Sequence, residues 1–131
     1  MEARPRLRSG PGLRAQASGA RGEDLAESYL RSLGYTILGR NFKTRSGEID
    51  IIAKDFETTV FVEVKQRESE SHGRPEDFVP PSKRRRVISA ARLYAAQHRL
   101  SERPLRFDVV AIHLAGGTPD VRHYRGAFDA S

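Results

Sequence analysis

Two acidic residues and a lysine lie inside apolar segments of this 131-residue chain, where charged side chains are uncommon. Glu63 and Lys65 belong to the run VFVEVK at 60–65, and Asp50 belongs to EIDII at 48–52. An unpaired charge in an apolar environment costs so much free energy that such groups are normally paired, neutralised or bound to a metal ion. The three side chains are therefore candidates for a functional site.

Both runs have the β-branched and aromatic composition of strands that are buried on at least one face. Side chains alternate across a strand, so Glu63 and Lys65 share one face. A short turn-rich segment at 55–58 joins the two runs, and an antiparallel hairpin would bring Asp50 across from Glu63. Two carboxylates beside a lysine form a hard-oxygen site for a divalent cation, with an amine placed to orient or deprotonate a water. This is the chemistry of nucleases.

A structural interpretation competes with this one. A single Glu-Val-Lys triplet on a half-solvated strand is usually a cross-strand ion pair of small energetic value. Asp50 favours the functional interpretation, because three ionisable groups embedded in two apolar strands are typical of a site with perturbed protonation.

Five segments, taken in order, resemble the signatures of the bacterial YraN family: GEDLA at 22–26, RNF at 40–42, SGEID at 46–50, FVEVK at 61–65 and RFDVV at 106–110. That family resembles a branch of the PD-(D/E)xK nuclease superfamily, close to the archaeal Holliday junction resolvases. The resemblance covers roughly 20–128. It implies a restriction-endonuclease-like α/β fold, in which helices flank a central mixed β-sheet. It also implies a Mg²⁺- or Mn²⁺-dependent endonuclease acting on DNA, with branched DNA as the expected substrate.

The resemblance assigns roles to the residues around the catalytic strand. Asp50 and Glu63 would hold the cation, and the Val64 carbonyl would add a backbone oxygen. Lys65 would position or activate the attacking water. Arg67 lies on the Lys65 face of the strand and would neutralise charge on the reacting phosphate; its simpler interpretation is a solvated arginine at a strand end.

Glu23 and Asp108 are two further acids that could belong to the site. Glu23 matches a glutamate that faces the metal site in resolvase-like members, so it is a candidate ligand. We rank it below Asp50 and Glu63, because an acid in the first turn of a helix is also stabilised by the helix dipole alone. Asp108 is another acid in an apolar run, but we expect it to pair with Arg106 or another basic residue and leave it out of the site.

The hydrophobic periodicity predicts the elements that must position these residues. They are a helix at 23–33 with Gly34 as its C-cap, a strand at 35–43, the two strands of the hairpin, a helix at 82–98 with Ser82 as its N-cap, a strand at 105–114 and a short edge strand at 121–124. The Pro-, Gly- and Ser-containing segment at 68–81 is predicted to be mostly loop. The predicted order α-β-β-β-α-β-β is that of a mixed sheet with flanking helices.

The second predicted helix begins with four consecutive cations at 83–86. Cations at a helix N-terminus oppose the macrodipole, which costs stability and favours a bound anion. Arg85, Arg92 and Arg99 recur at seven-residue spacing and extend a basic stripe. We therefore predict nucleic-acid phosphate contacts for four residues: Lys83, Arg84, Arg85 and Arg92. The alternative is a solvated basic face.

Composition points to one domain with a polyanionic partner. The net charge is +6 and the isoelectric point is near 10.2. The chain contains no cysteine, which excludes disulfides and thiolate metal sites and fits a reducing cytoplasm. No apolar stretch has the length of a membrane span, so no membrane partner is expected. We predict a disordered basic arm at 1–20 and the nuclease-like domain at 21–131.

Other functional classes stay open at this stage. A non-catalytic nucleic-acid-binding module and a scaffold that binds acidic partners through the basic helix are both compatible with the charge pattern. The sequence has no Gly-rich phosphate loop, His-Glu-x-x-His pair or Gly-x-Ser-x-Gly elbow to support other hydrolytic chemistries. Symmetrical cutting of a branched junction needs two active sites, so a resolvase-like function implies a homodimer, while a monomer remains the alternative.

Overall fold

The computed structural model describes residues 18–67, 79–114 and 117–130, which form one five-stranded sheet and two helices. The elements are α1 (Ser18–Ser32), β1 (Thr36–Lys43), β2 (Glu48–Asp55), β3 (Thr58–Arg67), α2 (Pro81–Gln97), β4 (Leu105–His113) and β5 (Asp120–Phe128). The predicted α/β class and the order α-β-β-β-α-β-β are confirmed. The predicted arm at 1–20 and loop at 68–81 lie outside the described residues, except for 18–20 and 79–81.

The sheet is mixed and has the strand order β1-β2-β3-β4-β5. The first three strands form an antiparallel meander, which contains the predicted hairpin of β2 and β3. Strand β4 lies parallel to β3, with Glu63 beside Val109, and β5 returns antiparallel to β4. A parallel neighbour needs a crossover connection, and α2 lies within that connection. Strand β3, which carries Glu63 and Lys65, is therefore the central strand.

The two helices cover opposite faces of this sheet, because alternate strand residues enter two different apolar clusters. On the α1 face the cluster includes Leu25, Leu30, Ile51, Val60, Val62 and Val110. On the α2 face it includes Ile52, Phe61, Val87, Ala91, Tyr94 and Phe107. Strand alternation places Glu63 and Lys65 on the Phe61 face, as predicted. The charged residues of β3 thus lie beyond the apolar cluster under α2.

Helix α1 begins earlier than predicted. It starts at Ser18, so Glu23 lies in the second turn, and the prediction that Glu23 occupies the first turn is wrong. The apolar periodicity starts only at Leu25, which is why it indicated a later boundary. Gly34 ends the helix with a φ of 92°, as its predicted C-cap role requires, and the Tyr35 N–H donates to the Leu30 carbonyl at 3.1 Å.

Helix α2 begins without the predicted Ser82 cap. Its N-cap is Pro80, no side chain caps the helix, and the first helical residue is Pro81. Proline suits this position because its φ is already helical and its missing N–H would have no intrahelical partner. The Arg84 N–H donates to the Pro80 carbonyl at 2.9 Å and closes the first turn.

The turn between β1 and β2 holds the first half of α2 against the sheet. Gly47 is buried beside the Arg86 carbonyl, and a Cβ at this position would overlap that carbonyl group. One residue earlier, Ser46 Oγ lies 2.6 Å from Ser89 Oγ on α2. The absence of a side chain at Gly47 therefore allows the close approach that sets α2 over the start of β2.

The last strand is longer than predicted. Strand β5 runs for nine residues and includes Phe128, whereas the predicted strand ended at Tyr124. The register shifts opposite Phe107–Val109, and Gly126 has a φ of 61°, so a bulge carries the strand past the point where its alternation breaks. The Phe128 ring then stacks on Phe107 with 5.0 Å between centroids.

Candidate active site

The hairpin of β2 and β3 positions the first acid. Regular pairing runs from Asp55 opposite Thr58 to Ile51 opposite Val62. The regular pairing ends there, and the side chain of Asp50, the next residue of β2, meets β3 directly: Asp50 Oδ2 accepts a hydrogen bond from the Val64 N–H at 2.9 Å. The Asp50 side chain is thus fixed directly to the backbone of β3.

Asp50 and Glu63, here called the acid pair, are both buried, with relative exposures of 9% and 3%. Burial raises the pKa of Asp50 to about 7, and the negative charge of Glu63 adds to this effect, whereas the bond from Val64 opposes it. Near neutral pH the acid pair therefore favours a bound proton or a cation beside it.

Two lysines converge on one oxygen of the acid pair. Lys65 Nζ lies 3.8 Å from Glu63 Oε2, and both residues belong to β3. Lys83 Nζ lies closer to the same oxygen, at 3.0 Å, and comes from the first turn of α2. Burial acts to lower the pKa of Lys83, but the charge of Glu63 and the hydrogen bond to it raise that pKa above its ordinary value. The Lys83 side chain remains a cation at this position.

The place of Lys83 in the site was missed by sequence reasoning, which assigned it to phosphate contact with the rest of its basic run. Strand periodicity identifies neighbours along one element, and the run at 83–86 carries no signal that separates its first cation from the other three. Only the docking of α2 onto the β1–β2 turn brings Lys83 to Glu63.

Glu23 pairs with an arginine of β1. Arg40 bonds three acids of α1, with Asp24 at 2.8 Å, Glu27 at 3.1 Å and Glu23 at 3.3 Å. The charge of Glu23 still contributes to the raised pKa of Asp50, after the larger effects of burial and Glu63. Among residues 18–67, 79–114 and 117–130, no three His, Asp or Glu side chains converge as a metal-binding group, so Glu23 is not brought into one set with the acid pair.

The other predicted phosphate contacts lie on or near the surface of α2. Arg85 and Arg92 are exposed and Arg84 is half-buried. An open cleft is lined by Pro81, Arg84, Arg85, Ile88, Ala127, Phe128 and Asp129. The Arg92 guanidinium donates to the Ala130 carbonyl at 3.3 Å, and half-buried Arg67 ends β3. The start of α2 therefore combines an inward lysine with outward arginines.

Comparison with known proteins shows the family of this chain. Residues 22–112 match the uncharacterised protein family UPF0102. The chain belongs to this family. The resemblance to the YraN family is thereby confirmed, since YraN and UPF0102 are the same family. The matched range of the UPF0102 chain contains the acid pair and both lysines.

Individual UPF0102 relatives are similar over most of their length. A UPF0102 protein of Anaeromyxobacter dehalogenans is 47% identical over 120 residues, which cover 92% of this chain and 90% of that protein. One from Syntrophotalea carbinolica is 45% identical over 108 residues, covering 82% of this chain and 88% of the relative. One from Persephonella marina is 41% identical over 111 residues, with 85% and 92% covered.

A further buried acid of the UPF0102 chain, Asp108, has different contacts. Asp108 pairs with Arg106, whose Nε lies 2.9 Å from Oδ1, as predicted from the sequence. It also lies 2.8 Å from His123 Nε2 and accepts the Gly126 N–H at 3.0 Å. Asp108 alternates with the α2 face and joins β4 to β5 on the α1 face, so its exclusion from the site is consistent with its contacts.

Neither α1 nor α2, the two helices of the described ranges, is both long enough and apolar enough to cross a membrane.

Proposed function

We propose that this UPF0102 protein is a divalent-metal-dependent endonuclease that hydrolyses DNA phosphodiester bonds at the acid pair. The observation that carries this proposal is the burial of two neighbouring carboxylates on adjacent strands, where the charge of Glu63 raises the pKa of Asp50 and the Lys65 ammonium lies on the same strand face as Glu63. Like charges held together in a poorly hydrated site repel each other, and a cation relieves that repulsion. Mg²⁺ and Mn²⁺ are the hard cations that carboxylate oxygens bind well.

The available oxygens fit such a cation. Asp50 and Glu63 would supply carboxylates from adjacent strands. In a strand, the N–H and C=O of one residue face the same neighbour, so the Val64 carbonyl faces the β2 side, where its N–H meets Asp50. Glu23 pairs with Arg40 through one carboxylate oxygen and acts on Asp50 through its charge, so we assign it to the surrounding charge of the site.

Lys65 and Arg67 of β3 have different roles in the proposed reaction. A bound Mg²⁺ or Mn²⁺ supplies positive charge at the scissile phosphate and lowers the pKa of a bound water. The Lys65 ammonium would hold and orient the attacking water near Glu63; as the water oxygen bonds to phosphorus, the bond to the leaving oxygen breaks and the proton of the water passes to solvent. Arg67 follows on the same strand face and stabilises negative charge on the reacting phosphate, while the leaving oxygen takes a proton from solvent.

Charge favours DNA as the substrate of this site. The chain has a net charge of +6, and Arg84 and Arg85 line a cleft at the start of α2. Branched DNA is proposed from the resemblance to Holliday junction resolvases, and paired cutting of a junction then requires a homodimer. Because Phe128 stacks on Phe107 within its own chain, a dimer through β5 would use the open edge of that strand. Light scattering with and without a four-way junction tests this requirement.

The decisive experiment is the nicking of supercoiled plasmid by purified protein in Mg²⁺, Mn²⁺ or EDTA. Asp50→Asn, Glu63→Gln and Lys65→Ala should each abolish metal-dependent cleavage and leave DNA affinity largely intact, because they remove chemistry and not phosphate contacts. Asp120→Asn is the matched control, since Asp120 is an exposed acid of β5 that pairs with Arg122. Cleavage by Lys65→Ala at the wild-type rate would contradict the assigned mechanism.

One observation favours a second candidate, a non-catalytic nucleic-acid-binding module. The Lys83 ammonium already gives Glu63 a charged partner without any metal ion. For such a module we expect DNA binding that is the same in EDTA and in Mn²⁺, with no nicking under either condition.

A further inference from the structure

Lys83 contacts the carboxylate oxygen that a metal ion would need. Its Nζ lies 3.0 Å from Glu63 Oε2, whereas Lys65 Nζ lies 3.8 Å from the same atom. Glu63 is only 3% exposed, so few water molecules can share the charge of its carboxylate. The shorter of the two contacts therefore comes from a helix, and not from the strand that carries the acid.

We propose that Lys83 alternates between two partners: it neutralises Glu63 while the acid pair holds no divalent cation, and it moves to a substrate phosphate once a cation is bound. The inference rests on the proposed nuclease function and deepens it. It makes metal binding and DNA binding depend on each other through one side chain.

Electrostatic repulsion supplies the first half of this exchange. A divalent cation bound to Glu63 and the Lys83 ammonium would both lie close to one carboxylate, and like charges at such a distance repel strongly where the local dielectric is low. Metal binding must therefore weaken the contact between Lys83 and Glu63. Conversely, the contact lowers the affinity of the site for a metal ion.

The mobility of the Lys83 side chain supplies the second half. The side chain is 40% exposed, compared with 23% for that of Lys65, and lysine has a long flexible stem. The backbone beneath it is held in place by the close contact of Gly47 with the Arg86 carbonyl. The ammonium can therefore leave Glu63 while the helix stays docked.

A phosphate is the partner that suits the released ammonium. Any phosphate that reaches a cation on Glu63 also comes within reach of Lys83, because Lys83 already touches that acid. The neighbouring Arg84 and Arg85 line a cleft at the same helix start and add positive charge around the phosphate. Lys83 is thus a positioning residue that ties substrate capture to a loaded metal site.

Metal binding without DNA tests the first half. Free Mn²⁺ can be counted by electron paramagnetic resonance in titrations of the wild type, Lys83→Met, Lys83→Arg and Arg86→Met. We expect Lys83→Met to bind Mn²⁺ about three- to tenfold more tightly than the wild type, as loss of one partly exposed ion pair allows. Arg86→Met removes a charge from the same helical turn and should match the wild type, as should the charge-conserving Lys83→Arg.

The outcomes separate this inference from the proposed function. Equal and measurable Mn²⁺ affinities in Lys83→Met and Arg86→Met would overturn the inference alone. No Mn²⁺ binding by any of the four proteins would overturn the inference together with the metal dependence of the proposed nuclease. Thermal melts of each variant confirm that the titrated protein is folded.

DNA binding tests the second half, with Ca²⁺ as a cation that loads the site. The quantity of interest is the ratio of DNA affinities in Ca²⁺ and in EDTA, and we expect that ratio to be about threefold smaller in Lys83→Met than in the wild type. Arg86→Met should weaken DNA binding under both conditions and keep the wild-type ratio. An unchanged ratio in Lys83→Met would show that Lys83 does not move to a phosphate.

Discussion

Asp50 and Asp108 are both buried aspartates of the central sheet, yet they lie in opposite electrostatic surroundings. Asp108 accepts hydrogen bonds from three donors: Arg106, His123 and the Gly126 N–H. Burial alone would raise the pKa of Asp108, but these bonds outweigh it and hold the pKa below its ordinary value. The pKa of Asp50 rises to about 7 through burial and Glu63. The hydrogen bonds to Asp108 outweigh the cost of burying its negative charge, whereas the surroundings of Asp50 do not outweigh that cost.

The first prediction concerns the pH dependence of stability. Because the pKa of Asp50 is raised from 3.8 to about 7, the folded protein binds a proton more tightly than the unfolded chain. Proton binding by Asp50 stabilises the folded protein, and this stabilisation is fully present below about pH 4 and is lost as the pH rises to about 7. Relative to the wild type, Asp50→Asn should therefore gain up to ~4 kcal/mol of unfolding free energy between those limits.

Urea unfolding in EDTA at pH 5 and pH 8 measures this difference. Asp120→Asn, a change at an exposed acid, serves as the control and should follow the wild type at both values. If the difference in unfolding free energy between Asp50→Asn and the wild type does not increase with pH, the pKa of Asp50 is not raised in the folded protein.

The second prediction gives the opposite sign for the other aspartate. Asp108→Asn removes the charge that Arg106 and His123 face in a buried position, and such a loss typically costs ~3–5 kcal/mol of unfolding free energy. Because the pKa of Asp108 is lowered, its stabilisation is present above about pH 4 and disappears as the pH falls further. Denaturant unfolding at pH 7 should show a large loss, in contrast to Asp50→Asn. Equal stability of Asp108→Asn and the wild type would rule out this account.

The third prediction concerns the glycine under α2. A methyl group at Gly47 would overlap the Arg86 carbonyl, so Gly47→Ala should push the helix outward and cost roughly 1–3 kcal/mol. Gly39→Ala is the matched control, because a Cβ at Gly39 would have no heavy atom of the described residues within 4 Å apart from its chain neighbours. Thermal melts compare the two variants. If both melt like the wild type, the close contact does not set the position of α2.

The fourth prediction concerns the outward arginines. Arg84→Ser and Arg85→Ser should weaken binding to all DNA sequences alike and reduce the slope of log affinity against log salt by about 0.9 for each lost duplex phosphate contact. Arg103→Ser is the control, since Arg103 is an exposed arginine that pairs with Glu57 next to the β2–β3 turn. Binding isotherms at several salt concentrations measure the slopes. Unchanged slopes would mean that Arg84 and Arg85 belong to a solvated basic face and do not contact phosphates.

Much of the framework was predictable because it depends on local backbone geometry. Side-chain alternation alone placed Glu63 and Lys65 on one face of β3, and the short turn at 55–58 indicated the hairpin of β2 and β3 that brings Asp50 to β3. The element order followed from periodicity for the same reason. The boundaries were less accurate, because α1 begins before its apolar pattern and β5 continues through a bulge.

The sequence by itself determined the strands, the order of the elements and that Glu63 shares a face of β3 with Lys65, since these properties depend on neighbours along the chain. Only the tertiary structure decided that Lys83 turns inward to Glu63 and that Arg40 holds Glu23 among the acids of α1. It also explained Gly47, whose missing side chain lets α2 approach the β1–β2 turn. These relationships depend on how a helix docks on a sheet, and docking is set by contacts between residues far apart in the chain.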